Sequence, residues 1–178
     1  ILEGERSFGR ARAEGFQTPS RKVEIFSKQL EDMGVEPIPS FGKLSRLDPA
    51  DEEFPLLLTS AKEFPFVHSA FRNVGRLRAL KAEPTVRLHP STAARLNLRE
   101  GEWVWIETRE GRIKQKLELD PDLDPRVAVA SYGWWFPEEG DLFGWSKSNI
   151  NILTQSENFE ASLGSIQLRG IPCRIRRI

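Results

Sequence analysis

Apolar residues in this chain come in short bursts broken by turn formers, and few stretches hold a helical period. Leu56, Leu57 and Leu58 form an unbroken run introduced by Pro55, the pattern of a strand buried on both faces. Thr85 to Leu88 reads as a second strand and runs into His89-Pro90. Proline at a first helical position leads into a helix over Ser91 to Leu98, packed through Ala93, Ala94, Leu96 and Leu98, with His89 at its cap. Trp103 to Ile106 is a strand rich in aromatic and branched side chains, and Glu110-Gly111 closes a hairpin. Beyond it Ile113, Gln115, Leu117 and Leu119 alternate with Lys114, Lys116 and Glu118, as in a strand with one face buried and one wet. Asp120 to Pro125 is a turn, Val127 to Ala130 a strand, and Pro172 to Ile178 a closing strand with interleaved charges.

The first third of the chain is less regular. Residues Ile1 to Gly15 have few apolar anchors and read as a tail or linker. Thr18-Pro19-Ser20 makes a turn, Val23, Ile25 and Phe26 a short strand, and Gln29 to Met33 a brief helix ended by Gly34. Pro37, Pro39, Gly42, Pro49 and Pro55 mark Val35 to Pro55 as an extended strap. The expected organisation is a tail over 1–15 and one domain over 16–178, itself a lead-in over 16–53 and a barrel over 54–178. Many short strands with one clear helix predict a mainly β fold with short helices, closed into a small barrel so that no sheet edge stays open.

Composition narrows the function. Lys and Arg number 26 and Asp and Glu 26, so the surface has no overall basic bias for nucleic acid. One cysteine, Cys173, excludes an internal disulfide, and two histidines argue against a histidine-rich metal site. No apolar run approaches the length of a membrane span, so no direct membrane insertion is expected. The chain begins at Ile1 rather than Met, which reads as a piece of a longer protein. Targeting signals would then lie outside it, leaving cytoplasm and periplasm both open.

Two segments carry candidate chemistry. In Leu56 to Asn73 the apolar run breaks into a loop in which Thr59, Ser60 and Ser69 offer hydroxyls, Lys62 and Arg72 fixed charge and His68 a ring donor. That set suits a phosphate-bearing ligand, and the plain alternative is a solvated surface loop. Tyr132 to Thr154 is a long loop holding Trp134, Trp135 and Trp145. Its tryptophans either stack on a flat heterocycle or close the barrel as core, while Asn149, Asn151 and Thr154 suit the edge of a base or pterin. Phosphate loops of the P-loop and dinucleotide-fold types, a nucleophile elbow and a carboxylate-histidine metal motif are all absent from the sequence.

With these residues in view, the chain resembles the carboxy-terminal, dinucleotide-binding domain of the molybdopterin oxidoreductases, the dimethyl-sulfoxide-reductase type of molybdenum or tungsten enzyme. GFQTPSRKVEIFS is similar to that family's lead-in, with Arg21 where glycine is usual, and FPLLLTSAKEFPFVHSAFRN to its strand and cofactor loop. VRLHPSTAARLNLREGEWVWIETREGRI, NILT and SIQLRGIPCRI follow in the family's order. The resemblance implies a double-psi β-barrel of the aspartate-decarboxylase-like type. Its ligand would be molybdopterin guanine dinucleotide, held in the bis form with Mo or W by the parent enzyme. Carried over by position, the cofactor loop falls on Thr59, Ser60, Lys62, Glu63, His68 and Ser69, the later asparagine on Asn151 and the carboxy-terminal basic residue on Arg169. Trp134 and Trp135 lie where the family places a wall of the site.

Implied partners are the remaining domains of the parent enzyme and an iron-sulfur electron-transfer subunit. The metal ligand would come from another domain, and the isolated fragment would be inactive. The rival expectation is a non-catalytic double-psi barrel that binds a protein or peptide. A barrel binding single-stranded nucleic acid through its tryptophans is a third, set against the balanced charge.

Overall fold

The computed structural model describes residues 9–38, 50–155 and 164–178. The chain divides into two compact units, Ile1–Arg46 and Leu47–Ile178. In the first, α1 (Arg10–Glu14) occupies part of the stretch expected to be a tail, with Arg10 and Glu14 paired one turn apart. Helix α2 (Lys28–Asp32) matches the expected helical piece. The Ser27 side chain caps it by accepting from the Leu30 amide, and Gly34 ends it at a φ of 72°. The strand expected at Val23, Ile25 and Phe26 does not form. Val23 is 67 % and Ile25 79 % exposed, and no described segment pairs with them, so the pattern lacks the neighbour that makes a strand stable. Much of the expected strap, 39–49, lies outside the described residues.

The second unit is a closed six-stranded barrel: β1 (Leu56–Ala61), β2 (Thr85–Leu88), β3 (Trp103–Glu107), β4 (Arg112–Leu119), β5 (Val127–Ser131) and β6 (Ile171–Arg177), arranged β1-β5-β2-β4-β3-β6. β1 runs parallel to β5 and β2 parallel to β4, and the other four pairings are antiparallel. The link from β1 to β2 therefore passes the end of β5, and the link from β4 to β5 passes the end of β2 at the opposite rim. These two crossing links make the barrel a double-psi barrel, as expected. Its interior is filled by alternating residues such as Leu56, Leu58, Val86, Leu88, Val104, Ile106, Ile113, Leu117, Ala128 and Ala130.

The expected helix after His89 is α4 (Pro90–Arg95), counting α3 (Gly75–Arg78) in the β1–β2 link. It is shorter than its apolar pattern suggests, because Asn97 takes a left-handed φ of 55°. His89 caps it, its Nδ1 accepting from the Ser91 amide at 3.1 Å. The expected long loop 132–154 is partly helical: 3-10 turns Asp141–Gly144 and Ile150–Leu153 flank α5 (Trp145–Ser148). Cys173 is fully buried in β6 as a small apolar residue.

Strand direction decides where function can gather. β1, β3 and β5 all point one way, so the links that follow them, 62–84, 108–111 and 132–170, emerge at one rim. The links after β2 and β4 emerge at the other.

Candidate functional site

All the candidate residues belong to that first rim, on β1 and the link after it or on the link after β5. Thr59 and Ser60 lie half-buried toward the end of β1, before Ala61 closes it, and Lys62 stands exposed one residue beyond the strand. Asn151 and Arg169 are exposed on the returning link, and neither Lys62 nor Arg169 has a carboxylate partner among the described residues. Ser69 and His68 are exposed on the β1–β2 link, the His68 ring edge-on to Tyr132 at 5.7 Å.

Behind this exposed set the structure places the others in supporting positions. Arg72 is only 1 % exposed. Its Nη1 donates to the His68 carbonyl at 2.7 Å and its Nη2 to the Tyr132 carbonyl at 2.8 Å. Its guanidinium lies over the Phe66 ring at 4.6 Å and the Trp134 ring at 4.8 Å. Burial, and then the nearby Arg78 charge, lower the Arg72 pKa to about 10, yet it remains a cation at neutral pH. The ligand-facing cation read from the sequence is thus turned inward, because two carbonyls and two rings take it first.

Trp134 is fully buried, with Arg72 and Arg78 over its ring at 4.8 and 5.0 Å, so the core alternative holds for it rather than stacking on a heterocycle. Trp135 is half-buried, and its indole N–H donates to the Ser69 carbonyl. Asn149 is also committed locally: its Oδ1 accepts from the Asn151 amide at 3.1 Å and its Nδ2 donates to the Trp134 carbonyl at 3.3 Å. Glu63 accepts from the Ser131 hydroxyl and stands 3.8 Å from Lys81.

Two left-handed residues other than glycine, His68 at φ 51° and Phe71 at φ 72°, shape the β1–β2 link. Each such conformation costs roughly 1–3 kcal/mol and persists only where surrounding contacts impose it. Gly133, at φ 60°, lets the second link approach: a Cβ there would lie 3.3 Å from the Ser69 amide nitrogen.

Sequence reading missed the polar core under the rim. Gln115 is fully buried, donating to the Ser131 and Ser148 carbonyls at 3.2 Å each and accepting from the Ser131 amide at 2.9 Å. The signal was present, since a glutamine on the apolar side of an alternating strand must be satisfied internally. Ser131 carried no such signal.

A closed barrel with exposed basic, hydroxyl and amide side chains along one rim, over a buried polar support, has the build of a ligand-binding domain. The family profile described as "Molydopterin dinucleotide binding domain" matches residues 56–171. The chain belongs to this family: it is a molybdopterin dinucleotide-binding domain of the molybdenum oxidoreductase group, with the fold and cofactor-binding role expected from its sequence.

Among proteins it is similar to, acetylene hydratase of Syntrophotalea acetylenica is 32 % identical over 168 residues, covering 88 % of this chain and 23 % of the relative. Dopamine dehydroxylase of Eggerthella lenta is 31 % identical, covering 90 % of this chain and 17 % of the relative. A dimethyl sulfoxide reductase of Haemophilus influenzae is 28 % identical, with 87 % and 20 % covered. The solved structure of acetylene hydratase from Pelobacter acetylenicus superposes with a TM-score of 0.78 at 29 % identity, over 92 % of this chain and 24 % of that one. The chain thus spans about a fifth of the length of these relatives, which carry it as one domain of a larger enzyme.

Proposed function

We propose that this rim holds molybdopterin guanine dinucleotide, with its pyrophosphate between Lys62 and Arg169. The observation that carries the reading is that these two exposed cations, without carboxylate partners among the described residues, rise on separate links from one rim. Thr59, Ser60 and Ser69 supply hydroxyls that donate to phosphate oxygens, and the Asn151 amide meets the edge of the guanine or pterin. His68 and Trp135 line the exposed surface. Arg72, Trp134, Asn149 and Glu63 support it from behind. This donor set fits the group, since it offers positive charge and hydroxyls for the phosphates and an amide that both donates and accepts for a heterocycle edge.

In the parent enzyme the cofactor is the bis form carrying Mo or W, and the metal with its dithiolene sulfurs supplies the chemistry. This chain binds and orients it. The partners are the remaining domains of the longer polypeptide and an iron-sulfur electron-transfer subunit.

Amide NMR titration with GDP, standing for the nucleotide half of the cofactor, tests the site. Shifts are expected on Thr59 to Asn73, Asn151 and Arg169. A folded domain that shows none at millimolar GDP would overturn the reading.

A further inference from the structure

The β1–β2 and β5–β6 links carry most of the proposed contacts, yet they are far apart in sequence, and each contains left-handed backbone. A site assembled from two such segments binds well only if they are held in register before the ligand arrives, since ordering them on binding would be subtracted from affinity. Several contacts cross between them, among them Arg78, which pairs with Glu138 and lies over the Trp134 ring. Arg72 donates to Tyr132, Trp135 donates to Ser69, Gly133 packs against the His68–Ser69 peptide, and the Phe66 ring meets Trp134 edge-on at 5.6 Å. Arg72 and Arg78 each serve both links with one side chain, and Arg72 is the fully buried one. Its guanidinium takes the His68 carbonyl on its own link and the Tyr132 carbonyl on the other at 2.7 and 2.8 Å, where Arg78 reaches the Trp135 carbonyl only at 3.5 Å.

The geometry points to Arg72 as a positioning residue: buried away from the ligand, it fastens the link bearing Lys62, His68 and Ser69 to the link bearing Trp134 and Trp135, so that the dinucleotide meets a preformed surface. This rests on the proposed cofactor reading for its ligand, but not for its mechanical content. The planar fork is what the role requires. A lysine keeps the charge but presents a single point of donation and cannot reach two carbonyls on separate segments with the same fixed geometry. Methionine fills the space between Phe66 and Trp134 while removing both donors. The His68 carbonyl would then lose the bond that holds its residue at positive φ.

The test uses the full chain with Arg72→Met and Arg72→Lys, and Trp135→Phe as a variant that cuts a different tie without touching the buried cation. Hydrogen exchange and GDP titration are both read. In the Arg72 variants, amides of 63–74 and 132–136 are expected to exchange faster while those of β1 and β5 stay as in the parent, and GDP affinity falls by about tenfold or more. Trp135→Phe should show the same pattern, weaker. Unchanged exchange in both links overturns the proposal, and so does opening of the barrel strands together with the links, which would make Arg72 a global stability element. A parent domain that fails to bind GDP sinks the cofactor reading alone, because the exchange pattern still tests the fastening.

Discussion

The Ser131 hydroxyl donates to Glu63 Oε1 at 2.6 Å, joining the end of β5 to the link that crosses over it. The same oxygen accepts from the Thr85 amide at 2.8 Å, so one buried serine ties together the three pieces of chain that form the crossing. Ser131→Ala should leave a part-buried amide and a part-buried carboxylate without their partner, at about 1–3 kcal/mol of stability. Urea unfolding of the variant measures this, and a midpoint equal to the parent's would show that the crossing does not depend on the hydroxyl.

Gly133 combines a left-handed φ of 60° with a close backbone neighbour. Gly133→Ala should cost roughly 1–2 kcal/mol from the conformation alone. It should also push the Ser69 amide away, so GDP binding weakens more than thermal stability falls. Equal losses in the two measurements would count against the close approach as a feature of the site.

Lys62→Ala and Arg169→Ala should each weaken GDP binding by the value of one charge-assisted hydrogen bond, about 1.5–3 kcal/mol, or roughly ten- to hundredfold. Both variants should also flatten the salt dependence of binding. Calorimetric titration at two ionic strengths checks this, and parental affinity in both variants would place the phosphates elsewhere.

Burial in β6 pushes the Cys173 thiol up to about 12. The folded state therefore keeps its proton where the unfolded chain, titrating near ~8.5, loses it. The stability this contributes is complete below that value and is lost as pH rises toward 12. At pH 8 the native thiol should resist a disulfide reagent and react promptly once denatured, since the thiolate is the nucleophile. Rapid native labelling would contradict the burial.

At the opposite rim, the Arg126 side chain, together with its backbone amide, holds the Asp124 carboxyl down at about 2. A depressed carboxyl contributes stability above the ordinary range of ~4 that is lost as pH falls through the folded value. Because the pair is exposed, the effect is local and screened by salt. Carboxyl NMR should show an Asp124 midpoint near 2 that rises in Arg126→Ala. A midpoint that stays put would assign the shift to the backbone alone.

Much of the barrel was legible because its cause is local. An unbroken leucine run, a His-Pro helix start and a strict alternation from Ile113 to Leu119 each specify an element with little help from elsewhere. Val23 to Phe26 failed for the converse reason: strand propensity has no effect without a neighbouring strand, and sequence does not state which strands become neighbours.

The site divides along the same line. Lys62, Asn151 and Arg169 can be found as residue types in loops, and the structure leaves their side chains exposed at one rim. The inward turn of Arg72 depends on Phe66, Trp134 and two carbonyls, one of them sixty residues away in sequence. Nothing in the sequence around Arg72 distinguishes a clamp from a contact.

The alternation of strand direction also acts as a partition for evolutionary change. The links that follow β3 and β5 can change length or side chains without touching either crossing, because one crossing is made by the β1–β2 link with Ser131, Glu63 and Thr85 and the other is completed at the opposite rim by residues such as Thr92 and Pro125. The grip those two links supply is thus open to change on its own, whereas the β1–β2 link answers to the barrel and to the ligand at once.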